Sequence, residues 1–226
     1  MRRKGRATLF KLFSKILLSI GLFCVIMLGI SYLPQPRDEK ELVVQLVQER
    51  PGEVLPKNLP PYVSGTDYQV LFSAAKKVWF GDVAQISMYV KPVNKSQLSD
   101  ANKQNSEYQI FLEGRVDWDL GELSPGKVIL ESLQPGKSAI FFWQIKPSYN
   151  GKRNGKVWLI LNIYSNSDEA AWSQTQLALP IELQVERYFG LPVTWARGLF
   201  ISILGICSLA LLIPPVINIL NQKSSE

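Results

Sequence analysis

The sequence predicts an all-β domain held between two membrane-spanning helices, and three observations predict it. Two apolar runs, residues 16–33 and 198–220, contain no charged side chain. From Tyr68 onward the apolar period drops to two, the period of a strand. Turn signals of the Pro-Gly and Asn-Gly type interrupt that stretch at the spacing of an all-β chain.

At about 1.5 Å rise per residue, each apolar run crosses a hydrocarbon core of roughly 30 Å. The first, transmembrane helix 1 at 16–33, follows a basic tail, 1–15. There Arg2, Arg3, Lys4, Arg6, Lys11 and Lys15 resist translocation and hold the N-terminus in the cytoplasm. The second helix, 192–220, opens on Pro192, a residue suited to a first helical turn, and returns 221–226 to the cytoplasm. The reading is a two-pass protein of the cell membrane with an extracytoplasmic central domain and the lipid bilayer as its first partner. A cleaved signal peptide is the rival reading of the first run, since Gly29-Ile30-Ser31 loosely fits a cleavage site; the apolar core exceeds the roughly 7–15 residues such a signal uses. Tyr188, Phe189 and Trp195 suit the membrane interface, with the Arg197 guanidinium reaching back toward the headgroups. Pro214 and Pro215 predict a kink near the end of the second helix.

The formal net charge of +6 belongs to the basic tail, because residues 34–187 carry 17 basic and 18 acidic side chains. A near-neutral central domain offers no electrostatic footprint for nucleic acid. Histidine is absent, which removes histidine-based triads, imidazole acid–base catalysis and histidine-ligated zinc. Both cysteines, Cys24 and Cys207, lie inside the apolar runs, so the central domain folds without a disulfide.

Between the spans, residues 34–67 read as a linker rich in proline. Within it, 38–50 carries apolar residues at Leu42, Val43, Leu46 and Val47 and a capping-box spacing at Asp38 and Glu41, which predicts a short amphipathic helix. Val43 and Val44 also suit an edge strand. The β domain, 68–187, follows. Strands are predicted at 68–73, 82–90, 107–113, 127–133, 138–146, 156–164 and 175–186, with a further alternation of Val116, Trp118 and Leu120 against Arg115, Asp117 and Asp119. That makes seven or eight strands. The last carries Leu177, Leu179, Ile181, Leu183 and Val185 in register.

The run from Leu133 through Gln134-Pro135-Gly136, Ile140-Phe141-Phe142-Trp143 and Pro147, with Gly155 and the strand from Lys156, resembles the later strands of immunoglobulin-like domains in bacterial envelope proteins. The resemblance implies an immunoglobulin-like β-sandwich serving as a binding or spacer module. The Cys…Trp…Cys signature of antibody domains is missing.

Catalytic readings are thin. Asp117 and Asp119 share one strand face, a spacing open to calcium or to glycoside chemistry, but their alternation with Val116, Trp118 and Leu120 reads as a solvated face. Asn94-Lys95-Ser96 matches a short glycosylation sequon. No cofactor or metal site is predicted. The two apolar faces of the later strands are more informative. If Phe141, Trp143 and Ile145 point inward, Ile140 and Phe142 point outward; if Val157, Leu159, Leu161 and Ile163 point inward, Trp158, Ile160 and Tyr164 point outward. These five residues are the candidate partner-binding set, open to solvent or covered by the linker.

The sequence therefore predicts a non-catalytic membrane subunit or adaptor whose sandwich binds another envelope protein or a polymer. The alternatives are a sensor or transport accessory coupled to a membrane partner, and a hydrolase using carboxylates alone. Junction lengths add one expectation. About thirty residues would leave the first span loosely joined to the sandwich, whereas 187–191 would tie the second span closely, so an insertion after Lys57 would be tolerated better than one after Phe189.

Overall fold

A computed structural model describes residues 2–48, 51–52, 55–56, 59–93, 108–118, 121–165 and 170–223. They form two units, one of Met1–Pro34 with Arg187–Glu226 and the other Gln35–Glu186. The sequon, Asp119, Leu120 and Lys57 fall outside the described residues.

The second unit is a β-sandwich of two five-stranded sheets. In chain order its strands are β1 (Arg37–Gln45), β2 (Asp67–Ala75), β3 (Lys77–Trp79), β4 (Ala84–Pro92), β5 (Tyr108–Asp117), β6 (Gly121–Ser124), β7 (Val128–Ser132), β8 (Ala139–Pro147), β9 (Gly151–Ser165) and β10 (Ala170–Glu186). One sheet runs β1-β2-β4-β8-β6 and the other β3-β10-β9-β5-β7. With β2, β4, β5, β6, β8, β9 and β10 taken as strands A to G, the sheets read A-B-E-D and C-F-G, the order of a constant-type immunoglobulin sandwich. The remaining strands extend it: β1 beyond A, β3 beyond G and β7 beyond C.

Among the described residues, ten strands replace the seven or eight expected. Residues 108–113 of one expected strand and Arg115, Val116 and Asp117 of the expected alternation belong to one strand, β5. The additions β3 and β6 have three and four residues, too few to display a period. The largest correction is at 38–50. The expected amphipathic helix is strand β1, paired with β2 over nine consecutive positions from Arg37↔Ala75 to Gln45↔Asp67. Its side chains alternate between half-buried and exposed, and Leu42 and Val44 pack toward the core while Val43 points out. Sheet pairing satisfies every second backbone group of this segment, and that outweighs a capping box at its start. The sandwich therefore begins near residue 37, and residues 32–36 alone join it to the preceding helix. The expected contrast between a long first linker and a short second one is gone.

The core follows from the period of two. Tyr68, Val70, Phe72 and Ala74 of β2, Ala84, Ile86, Met88 and Val90 of β4, and Phe141, Trp143 and Ile145 of β8 line one inner face. Ile110, Leu112 and Val116 of β5, Val157, Leu159, Leu161 and Ile163 of β9, and Leu179, Ile181, Leu183 and Val185 of β10 line the other. A short helix, α2 in chain order (Pro61–Ser64), buries Tyr62 and Val63 and is fastened by the Tyr68 hydroxyl, which donates to the Tyr62 carbonyl at 2.7 Å. Burial, with Tyr62 nearby, pushes the Tyr68 phenol well above its ordinary value. At Gln134-Pro135-Gly136-Lys137, the Lys137 N–H donates to the Gln134 carbonyl at 3.1 Å and Gly136 takes φ +70°, the type II turn its sequence calls for.

Phe141 and Trp143 stack with ring centroids 6.0 Å apart and planes 11° from parallel. Gly114 faces them: a β-carbon there would lie 2.5 Å from Phe141 Cδ1 and 2.8 Å from Trp143 Cη2. Gly114→Ala is predicted to cost about 1–3 kcal/mol by overpacking. The check is the denaturation midpoint of the full chain in detergent, which should fall; an unchanged midpoint would show that the rings move aside freely.

Candidate functional site

The first unit contains two long helices, α1 (Arg2–Ser31) and α3 (Val193–Lys223). Leu12–Ser31 and Val193–Leu212 are long and apolar enough to cross a membrane. Among the residues whose burial is described, the buried positions are Cys24 and Ser31 on α1, and Val193, Ala196, Phe200 and Cys207 on α3. Half-buried Leu17, Gly21 and Leu28 complete the α1 line, and Ile203 and Leu204 the α3 line. Every third or fourth residue thus forms a seam where the two helices pack antiparallel, with small Gly21 against Leu204. The two cysteines lie in this seam as free thiols.

The expected interface residues cluster at one end of this unit. Tyr188, Phe189, Gly190 and Leu191 form a tight turn closed by Tyr188 N–H to Leu191 O at 3.0 Å and Leu191 N–H to Tyr188 O at 3.1 Å. Phe189 and Gly190 both take positive φ, 52° and 77°, as a type I′ turn requires. Phe189 and Trp195 are exposed, the latter at 74%. Tyr188 is buried instead: its hydroxyl donates to the Met27 carbonyl at 2.7 Å. Arg197 likewise has a protein partner where headgroups were expected. It donates to the Ser31 carbonyl at 2.6 Å and the Ser31 hydroxyl at 3.2 Å, and its guanidinium lies 4.2 Å from the centre of the Tyr32 ring. The carbonyls of the last helical turn lack intrahelical donors, so Arg197 acts as a C-terminal cap on α1 supplied from another helix.

The candidate partner-binding residues occupy both outer faces of the sandwich. Ile140 and Phe142 point outward from β8, 57% and 41% exposed, while Phe141 and Trp143 between and beside them are fully buried. Across the sheet they continue through Tyr89 and Leu71, which stand in the Ile140 row. Trp158, Ile160 and Tyr164 lie on the other sheet, so the five residues make two surfaces. All three are half-buried. Their neighbours explain this: Phe111 packs edge-on to Tyr164 at 5.6 Å, Lys156 lies 5.7 Å from the Trp158 ring, and Glu113 stands between Ile160 and Leu130 in register. A polar chain crosses this face. Arg115 donates to Glu113 at 2.7 Å, Asn162 to the same carboxylate at 2.9 Å, and the Ser173 hydroxyl to Asn162 Oδ1 at 2.6 Å. Sequence reasoning missed Leu71, Tyr89, Phe111, Val128 and Leu130; apolar neighbours on both sides of Ile129 and Phe111 were the available signal.

Strand β1 joins the edge of its sheet and covers neither set of residues. Asp117 ends β5 opposite Lys156 and is exposed. Among the described residues no group of three or more Cys, Asp or Glu is placed to hold a metal ion.

No protein-family model matches the chain, and no curated protein matches it. Among solved structures, it is similar to the CARDB domain of a Pyrococcus furiosus protein in complex with di-metal ions (12% identity, 54% of this chain and 96% of that chain, TM-score 0.30). It is also similar to AggA, the major subunit of an Escherichia coli aggregative adherence fimbria (13% identity, 53% and 95%, TM-score 0.29), and to a PapD-like domain of human CEP192 (11% identity, 60% and 94%, TM-score 0.29). The immunoglobulin-like assignment rests on the strand order described above.

Removing the Arg197 cap tests the helix-end geometry. Arg197→Ala is predicted to speed amide hydrogen exchange at Tyr32 and Leu33 by on the order of tenfold in detergent micelles, through loss of charge-assisted hydrogen bonds. Unchanged protection would show that the last turn of α1 holds without the guanidinium.

Proposed function

We propose that the chain is a non-catalytic membrane subunit or adaptor whose extracytoplasmic β-sandwich binds another envelope protein or a polymer. In this reading α1 and α3 cross the bilayer, both termini lie in the cytoplasm and the sandwich lies outside it. The observation that carries the binding role is the exposure of Ile140 and Phe142 on a strand whose alternate residues already fill the core. A half-solvated strand ordinarily places polar residues on its outer face; large apolar side chains there favour a covering partner.

The membrane placement draws on different support. Leu18, Leu22, Phe23 and Ile26 of α1, and Leu199, Ile201, Ile206 and Leu209 of α3, are exposed large apolar residues on helices that pack against each other along a single seam. Hydrocarbon is the solvent in which such surfaces are stable. The basic residues ahead of Leu12 orient the first helix with its start in the cytoplasm.

The test is charge placed on each outer face in turn. Phe142→Asp and Trp158→Asp are expected to reduce recovery of a companion protein after mild-detergent extraction by about tenfold for the face that carries the contact, with near-UV circular dichroism unchanged. Collapse of the near-UV signal in both variants would return these side chains to the core and remove the basis for the reading.

A further inference from the structure

The two outer faces differ in how far their own groups satisfy one another, and that difference selects one of them. On the β9 face four adjacent polar side chains, Arg115, Glu113, Asn162 and Ser173, are partnered with one another. On the β8 face two adjacent rows of the sheet remain open. One row runs Glu41, Leu71, Tyr89, Ile140 and the next runs Glu39, Ser73, Ser87, Phe142. Each starts in a carboxylate on β1 and ends in an exposed apolar side chain on β8. Glu39, Glu41, Leu71, Ser73, Ser87 and Tyr89 line a shallow depression of ≈ 490 Å³ between those ends. The Ser73 hydroxyl is buried in the floor and has no hydrogen-bond partner among the described residues. A buried hydroxyl in that state marks a place where a partner group is wanted.

The cations of the same face stand outside these two rows. Arg37 occupies the next row, its guanidinium on Gln85 Oε1 at 3.5 Å. Lys91 is in the row of Gln69, and Lys146 pairs with Glu122 at 3.4 Å. Lys40, which also borders the depression, is paired with Asp38 at 3.4 Å. Glu41 takes a hydrogen bond from Gln69, and Glu39 has none among the described residues.

We infer that this face is a docking groove for an extended segment of a partner protein that presents Lys or Arg to Glu39 and Glu41 and an apolar side chain to Ile140 and Phe142. The inference rests on the binding role proposed above and names its surface and the chemistry of its occupant. Three inter-strand steps of roughly 4.8 Å separate β1 from β8, about 14 Å, which an extended peptide covers in about four residues. The cation and the apolar residue of the partner therefore stand at positions i and i+4. Between them the peptide backbone passes over Ser73, where a main-chain group completes the hydroxyl's hydrogen bonding. A charge at one end and an apolar anchor at the other fix the direction of the bound segment.

A random decapeptide library displayed on phage, selected on the full chain in detergent micelles, tests this. The expected result is enrichment of peptides with Lys or Arg four residues from Phe, Leu or Ile. Binding of a synthesised enriched peptide should fall by roughly tenfold or more with Glu39→Gln/Glu41→Gln and with Phe142→Ser, and stay unchanged with Trp158→Ser. Near-UV circular dichroism of each variant confirms that the sandwich is intact. Three results overturn the groove: no enrichment, enriched peptides without a cation, or binding abolished by Trp158→Ser and retained by the β1 and β8 variants. The last would leave the chain a binding protein that uses its other face, whereas a chain lacking any companion in its membrane would remove the binding role itself.

Discussion

The contact of Gly114 with the stacked rings of Phe141 and Trp143 is the constraint on which the sandwich depends. Two sheets pack face to face only when inner side chains interdigitate at the density of a crystal, and two large rings on one strand need a missing side chain opposite them. Gly155 serves Trp118 in the same way, since a β-carbon there would come within 2.6 Å of its ring. A chain without a disulfide in this unit draws its stability from such packing. Filling the interior with Phe141, Trp143 and their neighbours fixes the register of β8. Register then dictates that Ile140 and Phe142 face out, because a shift by one residue would exchange the two sets.

A comparable economy governs the helix unit. The seam of α1 and α3 is a narrow stripe of buried and half-buried residues, and its end is closed by two side chains, one from the turn before α3 and one from α3 itself. Tyr188 and Arg197 both reach carbonyls near the end of α1, at Met27 and Ser31. A polar group withdrawn from water is stable only with its partner in place, so these bonds specify one pairing of the helices. Exposed Trp195 and Phe189 remain for the interface with lipid in the proposed membrane placement.

Much of this was legible in the sequence because period and charge are local signals. The alternations at 138–146 and 156–164 placed inner and outer residues correctly, since each side of the strand meets a different solvent. What escaped notice depended on partners distant in the chain. Strand β1 is charged over Arg37 to Glu41, a pattern that blunts an edge strand against unwanted pairing and that also mimics a helix start. Only β2, from the far side of the proline-rich segment, decides between them. The same holds for Arg197, whose cap on α1 comes from a residue far away in sequence. The rows that join Glu39 and Glu41 to Phe142 and Ile140 are likewise invisible in one dimension, because they run across four strands.

In the proposed function, the outer surface of this sandwich is covered in a membrane assembly. Native mass spectrometry of the chain extracted from its own membrane in mild detergent tests that most directly. The expected species is heavier than the 25.5 kDa chain and holds a companion protein or polymer in fixed proportion. A lone species at the mass of one chain, under conditions that preserve the folded sandwich, would contradict it.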